Sequence, residues 1–399
     1  IDQKRTAEWS ADIVAYLSGA AGTAPDWADL VLNQMQAITG TGSVIDGATS
    51  TTTVLAITSA ASLVVNGCVM VNGEIRRVTV IDVSATPDTI TVTPALSDVP
   101  TAGDAVTAGI TYQPDDDAAN TQAALTLWAF NNRTAERMIG GIAKTWSLSM
   151  GGSDEARMTF GGPARRADRL VAVRLTAGID NAVTTIPVDD GRCVPSDVSV
   201  ASPVYLMLDL EVLKVTGVTA NDLTVAARGA YLTGGAAASH LDDAILYPYQ
   251  PTPTLTDSPI ASTAGDIIVD GVELQMTDFS VEYDSGIVVR EGEHGDKYNL
   301  AGYAPAQGTS GGGRAVSFTA NGFLYADTTQ HRLLEAHARE AVQVFCQQGD
   351  TAGAALAVEF PGVRMEEPDI QRGSEQITVS LAGMAESATA EAEFFLMVV

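Results

Sequence analysis

A mainly β fold is predicted by three features of this 399-residue chain. Glycine is plentiful (37) while aromatics make up only 6%, and Thr, Val and Ala recur throughout, a mix that suits short strands and turns better than long helices. Several segments alternate apolar and polar residues with the period of two that a half-buried strand requires. A β-rich block also recurs 137 residues further on, as the pairs Glu74/Glu211 and Tyr112/Tyr249 show, and self-similarity at a fixed offset marks a duplicated module.

Two helices interrupt this pattern. Pro25-Asp26-Trp27-Ala28-Asp29-Leu30 leads into Val31 through Met35, with proline and acids at the N-terminus where the helix dipole favours them. A second helix is expected from about Thr328 to Phe345, where Leu333, Leu334, Ala338, Ala341, Val342 and Phe345 recur at helical spacing. Asp327 or Thr328 would cap it, and Gly349 lies beyond its end. Among the strands, Thr145–Met150 alternates up to Gly151-Gly152 and is expected to pair with Ala156–Phe160. Val272–Met276, Ala315–Phe318 and Gln376–Leu381 are read the same way.

The repeat organises the chain. Val69 to Val80, around Asn72-Gly73-Glu74, matches Leu206 to Gly217, around Asp209-Leu210-Glu211. Thr89-Ile-Thr-Val92 matches Asp222-Leu-Thr-Val225, and both copies close on Tyr-Gln-Pro. Residues 49–114 and 183–251 are therefore expected to be related all-β modules, each followed by loop-like sequence. The segments 1–48, 115–182 and 252–399 then form a host β-domain carrying two insertions, with two tandem domains as the alternative.

The charge balance excludes whole classes of function. Lys and Arg number 22 against 49 Asp and Glu, a formal net charge of −27. Tight nucleic-acid binding needs clustered cations to displace counterions, and attraction to an anionic membrane needs them too. A solvated acidic coat is the simplest use of such a surface. Cys68, Cys193 and Cys346 are odd in number and widely spaced, supporting neither a disulfide framework nor a zinc site. No run of about 18 apolar residues is present, and the stretch from Val64 to Val71 is broken by Asn66 and Gly67. The chain opens on Ile1 without a signal-peptide pattern, so its start is expected to be cleaved, trimmed or left out of the numbering.

No constellation predicts catalysis, a cofactor or a metal. Gly308-Thr309-Ser310-Gly311-Gly312 fits G-x-S-x-G, yet a nucleophile elbow needs a buried strand before it and a helix after it, so a glycine-rich loop is expected. The same stretch fails as a phosphate loop, because Arg314-Ala315 stands where Lys and Ser or Thr are required. Of the histidines His240, His294, His331 and His337, His331 shares a helical face with Glu335 while His337 is rotated away. Adjacent acids (Asp189-Asp190, Asp242-Asp243, Glu366-Glu367) point to opposite faces of a strand and cannot flank one bond. Arg165, Arg166, Arg169 and Arg174 form the one basic cluster; it either meets an acidic patch on a neighbouring subunit or is neutralised locally.

Gly19 to Leu30, Gly73 to Val78 with Pro100 to Asp104, Leu125 to Trp128, Gly140 to Ser149, Phe160 to Arg165, and Val358 to Gly373 followed by Ile377 to Gly383 belong together by their order. Taken in that order, they resemble the major tail tube protein of long non-contractile tailed phages, the siphophage tail tube family. The chain departs from many family members in length, which makes the second module an addition. The resemblance implies a tail-tube-type β-sandwich or barrel with one flanking α-helix, and two related small β-insertions. It implies a virion protein without enzymatic activity, assembled in the host cytoplasm as stacked hexameric rings. Its partners would be further copies of itself, a tape measure protein and the adjoining tail tip and terminator proteins. DNA would pass through an acidic lumen during ejection without tight binding, and no membrane is involved. Arg290 to Arg314 would supply an arm that orders on stacking. The alternatives are a secreted or surface β-rich adhesion module, a terminator or distal tail protein, and, last, a serine hydrolase built on Ser310.

Overall fold

In the computed structural model, the structure describes residues 7–46, 49–114, 124–131, 133–151, 155–229, 236–250, 260, 266–289, 303–304, 314–323, 341–366, 368–372, 377–386 and 393–399. The fold is mainly β, with curled, half-barrel sheets. Among the described residues, helix is confined to Ala28–Leu32 and one 3₁₀ turn at Gly191–Cys193.

The main sheet has 14 strands, of which Ala7–Val14, Arg157–Ala164, Thr145–Gly151, Met276–Asp284, Ala315–Phe323 and Ile377–Ala385 lie side by side in that order. The predicted pairing of the Thr145 strand is present, with Trp146 opposite Phe160 and Leu148 opposite Met158. Past Ile377–Ala385 the sheet continues through Leu356–Met365 and Val342–Gln348 and curls over its own apolar face. Aromatic rings close this core between the two layers. Trp146 stacks on Tyr283 (5.3 Å) and meets Phe394 (5.5 Å), while Phe360 contacts both Phe394 (5.2 Å) and Phe318 (5.6 Å). Pairs at these distances add to the burial of the rings themselves.

The expected first helix stops at Leu32, and Met35 already begins a strand. Buried Asn33 holds the break, its Oδ1 accepting hydrogen bonds from the Ala143 amide (2.8 Å) and Gln34 Nε2 (3.0 Å). The expected second helix is corrected at its end: Val342 and Phe345 belong to the strand Val342–Gln348. That strand is buried on both faces, between the main core and the first small barrel, so its continuous apolar content imitates helical spacing. Residues 328–340 lie outside the described residues.

The repeat folds as two six-stranded barrels with one strand order. In the first, Ser43–Val44, Ala105–Ala108, Cys68–Val71, Glu74–Asp82, Asp88–Thr93 and Val54–Ile57 are neighbours in turn. In the second the order is Val173–Arg174, Ile245–Pro248, Val204–Leu208, Glu211–Thr219, Asp222–Arg228 and Thr185–Pro187. A bridge between Ile45 and Ile57 joins the first strand to the last in one module, and a bridge between Leu175 and Val188 does so in the other. The barrels thus begin at Ser43 and Val173, ahead of the boundaries at 49 and 183, because their two-residue first strands carry no readable alternation. The Tyr-Gln-Pro match is not a structural one. Tyr112 lies on Ile110–Pro114 in the main sheet and is fully buried in its core, whereas Tyr249 donates its amide to Tyr205 O in the second barrel.

The shared glutamate ends each barrel. Glu74 pairs with Arg76 and accepts from the Ser97 amide, while buried Glu211 holds Arg228 (2.7 and 2.9 Å) and His240 (2.8 Å). Burial alone would push the Glu211 carboxyl up; hydrogen bonds from Arg228, His240 and the Ala238 amide outweigh it and hold its pKa below the ordinary value.

The first barrel is fused to the main sheet. Cys68, Met70 and Ile75 pack against Phe345, Phe395 and Met397, and Gly109 makes the junction, where a Cβ would lie 2.2 Å from Val398 O. Inside this interface Arg77 grips fully buried Glu359 with two 2.8 Å bonds, lies 4.4 Å over the Phe395 ring and donates to Asn66 (2.9 Å). Gln343 Nε2 donates to the same carboxylate (2.8 Å). Removing one partner strands the other charge, so Arg77→Met should cost about 3–5 kcal/mol in denaturant unfolding, and Arg77→Met with Glu359→Leu should recover most of it.

Candidate functional site

Period-two strands that bury one face must display the other, and the displayed face of the main sheet is the candidate site. With Trp146, Leu148 and Met150 inside, Thr145, Ser147 and Ser149 point out. The neighbouring strands add Thr159 and Gly161 on one side, and Ser280, Glu282 and Asp284 on the other. Beyond them lie Ser317 and Thr319, then Ser380. Backbone register aligns these residues in rows across the strands. One row runs Asp12, Thr159, Ser147, Glu282, Ser317, and the next runs Ser10, Gly161, Thr145, Asp284, Ala315.

The face is acidic and rich in hydroxyls. Glu8, Asp12, Asp278, Glu282 and Asp284 supply carboxylates, and Arg157 is the one cation in the outward positions of these six strands. Arg157 stands 3.8 Å from Asp12 with both side chains more than half exposed, a pair of small energetic worth. Asn321 Nδ2 donates to Asp278 Oδ1 (2.6 Å), fixing that carboxylate. A depression of about 450 Å³ lies on this face between Ser10, Thr145, Ser147, Thr159, Glu282 and Ser317. Such a surface repels phosphates and stays hydrated.

The residues singled out in the sequence do not gather here. The Gly308–Gly312 motif with Ser310, and His294, His331, Glu335 and His337, lie outside the described residues. His240 sits on the second barrel, with Asp209 on one ring nitrogen and Glu211 on the other, both at 2.8 Å. Asp189 accepts the Arg174 amide, and Asp190 caps the turn at Gly191 while pairing with Arg192, whose side chain holds the Asp190 carboxyl down at about 2. Asp242 accepts the Asp243 amide in a turn. In the basic cluster, Arg166 pairs with Asp168 and Arg169 with Glu136, so these two are neutralised within the chain; Arg174 is exposed. Asp168 and Asp197 also hold buried Arg137, which joins the second barrel to the small sheet of Leu125–Asn131, Thr134–Gly141 and Arg166–Leu170.

Among the described residues, no group of three or more His, Cys, Asp or Glu side chains is placed to hold a metal ion, and no helix is long and apolar enough to cross a membrane. Compared with protein-family models and with curated proteins, the chain matches none.

Two measurements test these assignments. All three cysteines are free and buried, and burial pushes the Cys68 thiol up to about 11 and the Cys193 thiol up to about 12. Thiol-specific reagents should therefore leave native protein unlabelled at neutral pH and modify three sites after denaturation. The native chain should not retard duplex DNA in a gel, whereas Asp12→Lys, Glu282→Lys and Asp284→Lys combined should produce a shift that fades steeply with added salt.

Proposed function

We propose that the chain is a structural virion protein, the repeating unit of a phage tail tube, and that its acidic sheet face lines the channel for DNA. The observation that carries this reading is the composition of that face across its six adjoining strands, five carboxylates and many hydroxyls against Arg157 alone; the next cation, exposed Arg364, pairs with Glu386. Each phosphate contact adds affinity and would stall passage, so a conduit needs a wall that holds water and repels the duplex.

The edges of the sheet support the same reading. Among the described residues, Ala7–Val14 is the last strand on one side, and Asp369–Arg372 pairs only with Ile377–Ala385. Both offer unpaired backbone groups to another copy of the chain. A head-to-tail interface of this kind closes into a ring when the rotation closes, with six copies expected, and stacking through a second surface makes a tube. The barrels decorate or thicken the wall in this arrangement. A tape measure protein would occupy the bore before DNA, and tip and terminator proteins would cap the ends. No reaction is assigned to the chain.

Negative-stain electron microscopy of the purified protein across concentration and salt tests the proposal. Rings or hollow tubes are expected, with a bore of roughly 20 Å or more, wide enough for a duplex. Added salt should promote them by screening a net charge of −27. Isolated monomers in every condition, combined with tight glycan binding, would replace this reading with the adhesion module.

A further inference from the structure

The second barrel holds two leucines out in water. Leu210 is 81% exposed and Leu241 is 84% exposed, each in a turn, and Ile245 shortly after Leu241 is exposed too. Single exposed apolar residues are ordinary, but these three gather at one end of the barrel. Leu208 pairs with both Glu211 and Leu246, which sets the Asp209-Leu210 turn beside Ile245. His240 joins this turn to Leu241, one ring nitrogen 2.8 Å from Asp209 and the other 2.8 Å from Glu211. Glu211 is itself held by Arg228, so a buried polar network fixes the leucines in place.

The repeat shows what such a barrel end does. In the first barrel Asn72-Gly73 forms the equivalent turn, with Asn72 and Asp209 both in the left-handed region (φ +52° and +54°). That turn is covered by the main sheet: Gln347 donates to Gly73 O (2.6 Å), and a Cβ on Gly73 would lie 3.1 Å from Asp350 O. Thr101 takes the place of Leu241, in turns closed by the same bond, Asp104 amide to Thr101 O and Ala244 amide to Leu241 O. The second barrel thus carries leucine at both positions of an end that its twin uses as an interface, and both leucines stay exposed.

The rim indicates what fits. Asp209, Asp242 and Asp243 are exposed around the leucines, and Arg174, opposite Ile245 in the strand register, is exposed beside them. Arg166 and Arg169 are neutralised within the chain, whereas among the described residues no ion pair engages Arg174. An apolar centre with both signs of charge at its rim is complementary to a copy of itself turned through a half-rotation, Arg174 of each facing Asp242 and Asp243 of the other. We infer that this end of the second barrel, centred on Leu210 and Leu241, pairs two copies of the chain. Three apolar side chains make a small contact, so the pair belongs to the weak, transient class. It closes on itself at two copies and is separate from the main-sheet edges.

Sedimentation velocity on the full chain, from micromolar to near-millimolar concentration at moderate salt, tests the pairing. A concentration-dependent monomer–dimer equilibrium is expected. Leu210→Ser combined with Leu241→Ser should weaken it by about tenfold or more, and Arg174→Glu should weaken it as well. Arg174→Glu together with Asp242→Lys and Asp243→Lys should restore it, because the same charges then meet in reverse. All these side chains are exposed, and thermal unfolding checks that each variant folds. A wild type that stays monomeric throughout, association unchanged in the leucine variant, or no recovery in the charge-reversed variant overturns the inference. Rings and tubes sediment far faster than a dimer, so their presence or absence in the leucine variant reads the tube proposal separately.

Discussion

The aromatic layer formed by Trp146, Phe279, Tyr283, Phe318, Phe360 and Phe394 is the contact on which the rest of the molecule depends. It holds two layers of one sheet around a single core, and through the pleat it commits every intervening residue to solvent. A one-residue slip of Met276–Asp284 would carry Glu282 and Asp284 inward and Val281 and Tyr283 outward. Burying unpaired carboxylates is far costlier than exposing two apolar side chains. The acidity of the outer face therefore also enforces the register that creates it.

The two barrels show how one design acquires two attachments. Each keeps a glutamate paired with an arginine at its end, and each fills its interior with Val, Leu and Ile. Their outer surfaces differ. Arg77 of the first meets buried Glu359 in the main sheet, while Lys214 holds the equivalent repeat position in the second. The second barrel is anchored instead through buried Arg137 on the small three-stranded sheet. A buried ion pair adds little net stability against apolar packing, but it penalises any docking that leaves one charge alone. The Arg77–Glu359 pair thus specifies where the first barrel sits, and the surrounding Met and Phe contacts supply the burial.

The local pattern of the chain was enough to establish a mainly β fold, the pairing of Thr145–Met150 with Ala156–Phe160, and the duplication around Glu74 and Glu211, because strand period and repeat homology are properties of neighbouring residues. The acidity of the molecule was equally legible, being a count. Tertiary structure alone decided the rest. Val342 and Phe345 look helical by spacing, and only the two cores enclosing them show a strand buried on both sides. Tyr112 and Tyr249 match in sequence, yet the chain leaves the first barrel at Gly109 and carries Tyr112 into the main core. Nothing local marks Glu8, Asp12 and Glu282 as members of one surface. They meet because backbone register aligns strands far apart in sequence, and hydrogen bonds between distant strands are invisible to any pattern read along the chain.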